Sequence, residues 1–332
     1  MTLVIPGRNC AATINPCLTA AVPLKQSGRV VEIVLVDDAS TDETRRIATG
    51  YDVTVLSGAG IGAAAARNVG WRHAQTPLMW FVDADCVIEA EAFERLVAHL
   101  SDDQVGGVGG SYANLRPDSM LACLIHEEIV ARHAAMPTEV DFLGGFNVIY
   151  RRAALEAVGG FDERYPGATA EDADLSFRVR NAGYRLHFEP GARVGHFHET
   201  RLLRYLNTQR RHGFWRVRLH LDHRRQGMGN AYSGVADHIQ PPLAMIALAS
   251  LPLLATQRLW WVPVAALLCL AVLQIPMTVS IVRQARSSRY LMFGALGWIR
   301  SFWRGVGLMQ GALSGLSTAA RSSSHVGPLP RR

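Results

Sequence analysis

Between residues 2 and about 110, five short apolar runs rich in β-formers (3–5, 32–36, 53–56, 78–82 and 105–108) alternate with helical patterns such as 63–74 and 91–100. Near-continuous apolar strands separated by helices imply a mostly parallel sheet covered by helices on both faces, because a sheet with one wet face would alternate polar and apolar residues. On such sheets ligands bind beyond the carboxyl ends of the strands. Three polar clusters stand at such ends: Pro6-Gly7-Arg8-Asn9, Asp37-Asp38-Ala39-Ser40-Thr41-Asp42 and Asp83-Ala84-Asp85. All three are expected to converge on one crevice.

Residues two apart on an extended segment point the same way, so Asp83 and Asp85 offer two hard oxygen donors side by side. That suits Mg²⁺ or Mn²⁺ carrying a phosphate-bearing ligand, although two aspartates so spaced also occur in ordinary surface turns. Asp37-Asp38 leaves a strand and enters a helix whose N-cap would be Ser40 or Thr41. A capped turn accounts for residues 40–42. It leaves unexplained two adjacent carboxylates that repel unless a hydroxyl, a base or a cation is bound. Residues 60–70, Gly-Ile-Gly-Ala-Ala-Ala-Ala-Arg-Asn-Val-Gly, open a small-residue helix that can lie close to the sheet and bring Arg67 to a diphosphate. Taken singly it is also consistent with tight packing alone.

The 332 residues suffice for one large domain or two ordinary ones, and a 49% hydrophobic content with mean hydropathy +0.09 is high for a purely soluble enzyme. Charge is unevenly spread. Residues 1–200 carry a net −9 and residues 201–332 a net +15. The arginines of the basic part flank hydrophobic segments, which fits a cytoplasmic membrane face with anionic lipids better than nucleic acid. Cys10, Cys17, Cys86, Cys123 and Cys269 are odd in number and scattered, so neither a disulfide framework nor a zinc site is indicated. No basic and apolar leader pattern precedes residue 3, and the N-terminal part is expected in the cytosol.

Residues 111–200 show helical patterns over 119–135, 152–157 and 172–181 with Gly-Gly connections at 144–145 and 159–160, and read as the substrate half of the same domain. A catalytic domain is expected over 1–225, with 201–225 helical and rich in Arg and His, then a linker over 226–242 in which Pro241-Pro242 marks the boundary. A membrane region follows over 243–316. Its first part, 243–282, reads as a transmembrane hairpin: 243–255 is short, 259–282 is 24 residues without a formal charge, and Arg283, Arg286 and Arg289 set the far end in the cytosol. Residues 290–316 set Trp298, Phe302 and Trp303 beside a basic stripe of Arg300 and Arg304, which reads as an interfacial helix in preference to a third span. The tail over 317–332 is expected to be disordered.

Six elements in this order strongly resemble the family 2 glycosyltransferases of the GT-A fold: Ile5-Pro6 with Asn9, Val36-Asp37-Asp38 with Ser40 and Asp42, Ala66-Arg67-Asn68 with Gly70, Asp83-Ala84-Asp85, residues 158–163 (Val-Gly-Gly-Phe-Asp-Glu), and Glu171-Asp172-Ala173-Asp174-Leu175 with Arg178. The resemblance covers roughly residues 1–225. It implies a nucleotide-sugar donor, a divalent cation (Mg²⁺ or Mn²⁺) bridging its diphosphate, and inversion at the anomeric carbon. Carried over by position, Pro6, Asn9 and Asp38 line the nucleoside pocket with Asp37 and Arg8 beside them, Asp83 touches the ribose or the metal, and Asp85 is the main metal ligand.

Chemistry on the sugar also needs a base, for which Glu171-Asp172 is the candidate: Asp172 would take the proton of the acceptor hydroxyl. A salt bridge from Asp172 to Arg178 or Arg180 is the structural alternative. In His196-Phe197-His198, His196 is a candidate third metal ligand, or a buried hydrogen-bonded histidine. Residues 209–215 (Gln-Arg-Arg-His-Gly-Phe-Trp) resemble only loosely the element of processive members, and Arg210 or Arg211 would clamp the diphosphate or meet lipid headgroups. The implied enzyme is an inverting transferase on the cytosolic face of the cell's inner membrane, with a lipid, polyprenyl-linked or glycan acceptor and no nucleic-acid partner. An inactive membrane scaffold on the same fold would need none of Asp37, Asp83, Asp85 and Asp172. A nucleotidyltransferase would want a Gly-rich basic loop after the first strand, where only residues 6–9 stand. Composition sets no oligomeric state.

Overall fold

The computed structural model describes residues 1–166, 169–224 and 231–323. They fall into two compact units, Met1–Thr200 with Gly229–Gly234, and Arg201–Met228 with Val235–Arg332. The first unit runs β1 (Thr2–Gly7), α1 (Ile14–Gln26), β2 (Glu32–Asp37), α2 (Thr44–Ala48), β3 (Thr54–Ser57), α3 (Ala63–His73), β4 (Leu78–Val82) and β5 (Cys86–Ile88). It continues through α4 (Ala92–Ala98), β6 (Val105–Asn114), α5 (Met120–His133), β7 (Glu139–Val140), β8 (Asn147–Arg151), α6 (Arg152–Val158), α7 (Glu171–Asn181) and β9 (Arg185–His196).

One sheet takes the order β3-β2-β1-β4-β8-β6-β9-β5, with β7 also on β9. Its first four strands are parallel and the remainder is mixed: β8 is antiparallel to both β4 and β6, while β9 is parallel to β6. Alternate residues of a strand face opposite sides, and both sides are apolar here. Leu3, Ile5, Ile33, Leu35 and Trp80 join Leu18 of α1 and Leu96 of α4 in one buried cluster; Val4, Met79 and Phe81 join Trp71 of α3, Leu155 of α6 and Leu175 of α7 in the other. Each such fully buried side chain contributes about 1.5–3 kcal/mol. This is the helix-covered sheet that the apolar runs predict.

Four strands, β5, β7, β8 and β9, are not among the five that the apolar runs predict. β8 and β9 lie within the stretch read as mainly helical, and both pair with β6, whose Gly-Gly pairs make room for them. Tyr150 of β8 packs where a Gly107 side chain would stand (2.7 Å), and a Cβ on Gly110 would meet the Ala192 carbonyl at 2.1 Å. The helix after Asp37-Asp38 also differs from expectation. It starts at Thr44 rather than at Ser40 or Thr41, with the Asp42 carboxylate accepting from the Thr44 amide at 3.0 Å and from its hydroxyl at 2.6 Å.

The second unit comprises α8 (Leu202–Asp222), α9 (Val235–Ser250) extended by a 3₁₀ turn, α10 (Trp261–Val272), α11 (Ile275–Ala285) and α12 (Met292–Ser323). Residues 201–225, expected with the catalytic domain, therefore belong to the second unit: α8 packs on α12. Gly213, Gly307 and Gly311 make the close approach possible, since a Cβ on Gly307 would stand 1.9 Å from the Arg210 carbonyl and one on Gly213 2.1 Å from that of Arg304. Pro241 and Pro242, expected at a boundary, lie inside α9.

Two segments, Val235–Ala255 and Trp261–Ala285, are long and apolar enough to cross a membrane by length and composition, and only 22% and 28% of their apolar windows are buried inside the protein. A core helix of a soluble protein would be mostly buried. The second segment is divided at Leu273-Gln274, just before Pro276, into α10 and α11. In α12 the expected basic stripe faces inward. Arg300 is 3% exposed and donates to the Tyr205 hydroxyl at 3.0 Å, while Arg304 donates to Gln209 at 2.8 Å and to Asp237 at 3.1 Å. Met292, Val306, Met309 and Leu313 occupy the exposed side. The helix continues to Ser323, past the expected start of a disordered tail at 317; residues 324–332 lie outside the described residues.

Candidate active site

Strands β1 and β2 end level, with Gly7 opposite Asp37, and β4 lies parallel on the other side of β1 with Phe81 opposite Val4, so residues 6–9, 37–42 and 83–85 leave the same end of the sheet. Side chains then stitch those loops. Asn9 accepts from the Thr41 amide at 2.8 Å and its own amide donates to Ser40 Oγ at 2.9 Å; Asp42 accepts from the Ala11 amide at 3.1 Å. Asn9 and Ala39 hold positive φ (52° and 57°), a conformation that costs a non-glycine residue and persists where the surroundings enforce it.

The adjacent charges of Asp37 and Asp38 are offset by backbone amides. Asp37 Oδ1 accepts from the Ser40 amide at 3.1 Å, with Arg45 3.5 Å from its other oxygen. Both oxygens of Asp38 are engaged, Oδ1 by the Gly60 amide at 2.7 Å and Oδ2 by the Gly62 amide at 2.9 Å. Arg8 donates to the Gly60 carbonyl at 2.8 Å from the other side of that loop, and Pro6 lies buried in β1 opposite Val36. Asp38 thus fixes the loop entering α3. Gly62 sits there at φ +123° with the Pro166 carbonyl where a Cβ would be.

From α3, two neighbouring residues tie distant motifs together. Asn68 donates to the Phe161 carbonyl at 2.8 Å, accepts from the Phe161 amide at 2.9 Å, and donates to Glu163 at 2.7 Å. Arg67, expected on a diphosphate, is instead 2% exposed. It donates to Asp83 Oδ1 and to Glu171 Oε1, both at 2.8 Å, lies over the Phe161 ring, and packs against Gly145, where a Cβ would come 3.0 Å from the guanidinium. A buried arginine that bridges two carboxylates in this way fixes their geometry through its planar fork.

Asp83 and Asp85 leave β4 as expected. Pairing of β5 with β9 sets Cys86 opposite His196 and brings His196 Nε2 to 3.2 Å from Asp85 Oδ2. The ligand atoms of Asp85, Cys86 and His196 lie within 4.8 Å of one another. Burial pushes the Asp85 carboxyl up, but its contact with His196, chiefly the hydrogen bond, holds the group below the usual carboxylate range. An ionised oxygen beside an imidazole fits a borderline or hard divalent cation, so the residues present suit Mn²⁺ or Mg²⁺, with Asp83 as neighbour through its second oxygen.

Asp172 occupies the first turn of α7, where the helix N-terminus favours an anion. Its Oδ2 faces the Gly145 amide at 3.4 Å and its Oδ1 accepts from the Ala173 amide at 2.8 Å. The salt bridge weighed for it from Arg178 goes elsewhere: Arg178 binds Asp174 at 2.6 Å and the carbonyls of Val158 and Gly160 at 2.8 Å. Burial, then the charge of Glu171, push the Asp172 carboxyl up to about 7, against the pull of Arg67. A carboxylate so poised can accept a proton near neutral pH. Glu171 itself is consumed by Arg67 and by the amides of Thr169 and Ala170.

Arg210 and Arg211 belong to α8 in the second unit, where Arg210 reaches Gln310 at 3.5 Å and Arg211 donates to Thr208 at 3.2 Å. Sequence reasoning missed Gly145 as the amide facing Asp172, Asn68 as the latch on residues 160–163, and His126, which stands near His198. The Gly144-Gly145 pair and Asn68 within Ala66-Arg67-Asn68 gave a signal in the sequence, and His126 gave none.

The description "Glycosyl transferase family 2" is that of the family model matched by residues 2–159. A pre-mycofactocin glycosyltransferase of Mycobacterium tuberculosis is 29% identical over 221 residues, 61% of this chain and 43% of that one. Glycosyltransferase AglE of Haloferax volcanii is 29% identical over 203 residues, 57% of this chain and 64% of that one. The chain thus spans between about two fifths and two thirds of the length of these relatives. Among solved structures, the mannosyltransferase PcManGT from Pyrobaculum calidifontis, in complex with GDP-Man and Mn²⁺, aligns over 93% of this chain and 86% of its own at TM-score 0.55 and 22% identity. That likeness extends the fold assignment. Residues 2–159 thus match the family 2 glycosyltransferase model, relatives that are glycosyltransferases align over this part, and the fold is of the GT-A type.

Proposed function

We propose that the protein moves a sugar from a nucleotide-diphosphate donor to a hydroxyl acceptor with inversion at the anomeric carbon, at the cytosolic face of a membrane. The observation that carries this reading is Arg67. One buried guanidinium hydrogen-bonds Asp83, of the pair bearing Asp85, and Glu171, the neighbour of Asp172. A cation-binding carboxylate pair and a base are thereby held at a fixed separation, as a displacement needs when the leaving group departs on one side and the acceptor arrives on the other.

The roles follow from each residue's surroundings. Asp85 and His196 would hold the cation with Asp83 beside them; a bound dication supplies neutralisation of the charge that grows on the leaving diphosphate. Pro6, Arg8, Asn9, Asp37 and Asp38 shape the nucleoside side, the last two through the loop amides they order. Asp172 takes the proton of the acceptor hydroxyl as its oxygen attacks. Arg67 and Glu171 act as positioning residues, and Arg210 or Arg211 meets a phosphate of donor or lipid.

Membrane association is supported by the two apolar segments and by the net +15 of residues 201–332. An acceptor near or within the lipid, such as a polyprenyl-linked or lipid-linked glycan, fits that setting. The same reading gives the donor in relatives only as a class: the solved neighbour holds GDP-Man with Mn²⁺. A thermal-shift panel of UDP-, GDP-, CDP- and dTDP-sugars on the detergent-purified chain, with and without Mn²⁺, tests it, because a ligand that binds only the folded state raises its melting temperature. A Mn²⁺-dependent rise with one nucleotide is expected. No rise with any of them would favour the inactive scaffold.

A further inference from the structure

The cluster on the cation side does not stop at His196. His196 Nδ1 lies 2.8 Å from His198 Nδ1, and His198 Nε2 lies 3.3 Å from His126 Nδ1, while the far edge of His196 reaches Asp85 Oδ2 at 3.2 Å. Three imidazoles, from β9, the segment just beyond it and α5, therefore form a chain that starts at the strand-end carboxylate. Two ring nitrogens approach this closely only when one carries hydrogen and the other offers a lone pair. With one hydrogen on each ring, two arrangements satisfy both ring-to-ring links. In the first, His196 Nε2–H donates to Asp85, His198 Nδ1–H donates to His196, and His126 Nδ1–H donates to His198. In the second both ring-to-ring donors are reversed: His196 Nδ1–H donates to His198, His198 Nε2–H donates to His126, and His196 Nε2 presents a bare lone pair beside Asp85, where a cation would lie between them. Only the second can ligate a cation.

We propose that His198 and His126 are positioning residues that hold His196 in the tautomer whose Nε2 ligates the divalent cation next to Asp85. The inference rests on the cation reading of Asp85 and His196 given above. Three features carry it. His198 is 2% exposed, and among the described residues its two ring nitrogens meet only His196 and His126. The stacked pair Tyr112 and Phe146 (ring centroids 3.5 Å apart) supports both rings, with Tyr112 4.7 Å from His196 and 5.6 Å from His198. His126 is only half-buried, so the outer end of the chain can exchange its proton with water. Each ring holds one hydrogen in both arrangements. The chain can thus reverse as the cation enters, without leaving a charge in the interior.

The test is the affinity of the full detergent-purified chain for Mn²⁺ alone, read from the spectrum of free aquo-Mn²⁺ by electron paramagnetic resonance. His198→Phe keeps the ring volume and removes both nitrogens; it is expected to weaken Mn²⁺ by about 10- to 100-fold, as loss of a ligand's hydrogen-bond partner does elsewhere. His198→Gln, whose amide can accept from His196 and donate to His126, is expected to bind close to wild type. A purely structural role for His198 would not separate these two variants. His126→Phe, at the half-exposed end, should give a smaller loss and carries the test if His198→Phe melts early. In ring-¹⁵N-histidine protein with Mg²⁺, His196 should show its hydrogen on Nδ1.

Asp85→Ala separates the two readings. If Asp85→Ala loses Mn²⁺ while His198→Phe and His126→Phe bind it like wild type, the positioning chain is overturned and the cation site stands. If Asp85→Ala binds Mn²⁺ normally, the cation site itself is overturned. His196 with its hydrogen on Nε2 in the Mg²⁺-loaded protein would also overturn the positioning role.

Discussion

Arg67 donates to Glu171 at 2.8 Å, and 104 positions separate the two in sequence. The same guanidinium holds Asp83, so two carboxylates share one buried cation. Removing one partner of a buried pair leaves an uncompensated charge, which costs about 3–5 kcal/mol. Arg67→Met is therefore expected to lower stability by that amount in denaturant unfolding. Arg67→Met with Glu171→Gln should recover part of the loss, because one of the stranded charges goes with it. A wild-type midpoint for Arg67→Met would show that the guanidinium does not organise the site.

The Asp172 carboxyl is pushed up to about 7 by burial and by Glu171, and the sign of its pH effects follows. Below that value it carries a hydrogen and cannot take another, so kcat/KM should fall about tenfold per unit on the acid side. Folding is linked to the same shift. From the ordinary value of 3.8 up to about 7 the unfolded chain has released a proton that the folded one retains, so stability declines across that window as pH rises. Asp172→Asn removes this penalty; its melting temperature should exceed that of wild type at pH 8 and approach it at pH 4. Equal melting curves at pH 8 would remove the raised carboxyl.

Gly62 precedes α3 at φ +123°, with its amide on Asp38 and the Pro166 carbonyl 1.9 Å from where a Cβ would stand. Gly62→Ala must shift this loop, at a cost of about 1–3 kcal/mol for the strained backbone. It should lower the melting temperature and weaken the nucleotide-induced shift. Unchanged nucleotide binding in this variant would detach the Asp38 loop from the donor pocket.

In the second unit, Gly307 lets α12 approach α8, its ideal Cβ lying 1.9 Å from the Arg210 carbonyl. Gly307→Val should separate the two helices and raise the rate of tryptic cleavage within α8, which carries five arginines (Arg204, Arg210, Arg211, Arg216 and Arg218), whereas Met309→Ala on the exposed side should leave cleavage unchanged. Identical digestion of all three proteins would mean that α12 is held by something other than this contact.

The catalytic half of the fold was legible because its first four strands are near-continuous apolar runs ending in polar clusters, and a buried parallel strand has no other sequence signature. β8 and β9 were not, and the glycines of β6 that make room for Tyr150 and the Ala192 carbonyl do not themselves look apolar. Site residues on strand ends, such as Asp37, Asp85 and His196, stood out by spacing. Arg67 was assigned to a ligand because nothing local shows that its partners are two carboxylates from distant segments. The inward turn of Arg300 and Arg304 escaped for the same reason: their acceptors, Tyr205, Gln209 and Asp237, lie on other helices. Periodicity gives the face of a helix, while its partner decides whether that face is wet.

The central claim is that Asp172 serves as base to a donor held through Asp85. The most direct measurement is transfer of radiolabelled sugar, from the nucleotide donor selected by thermal shift, into membrane extract with Mn²⁺ present. Wild type should label the extract, Asp85→Ala should neither bind nor label, and Asp172→Asn should bind the donor and leave the extract unlabelled. Labelling by Asp172→Asn at the wild-type rate would contradict the claim and move the base elsewhere.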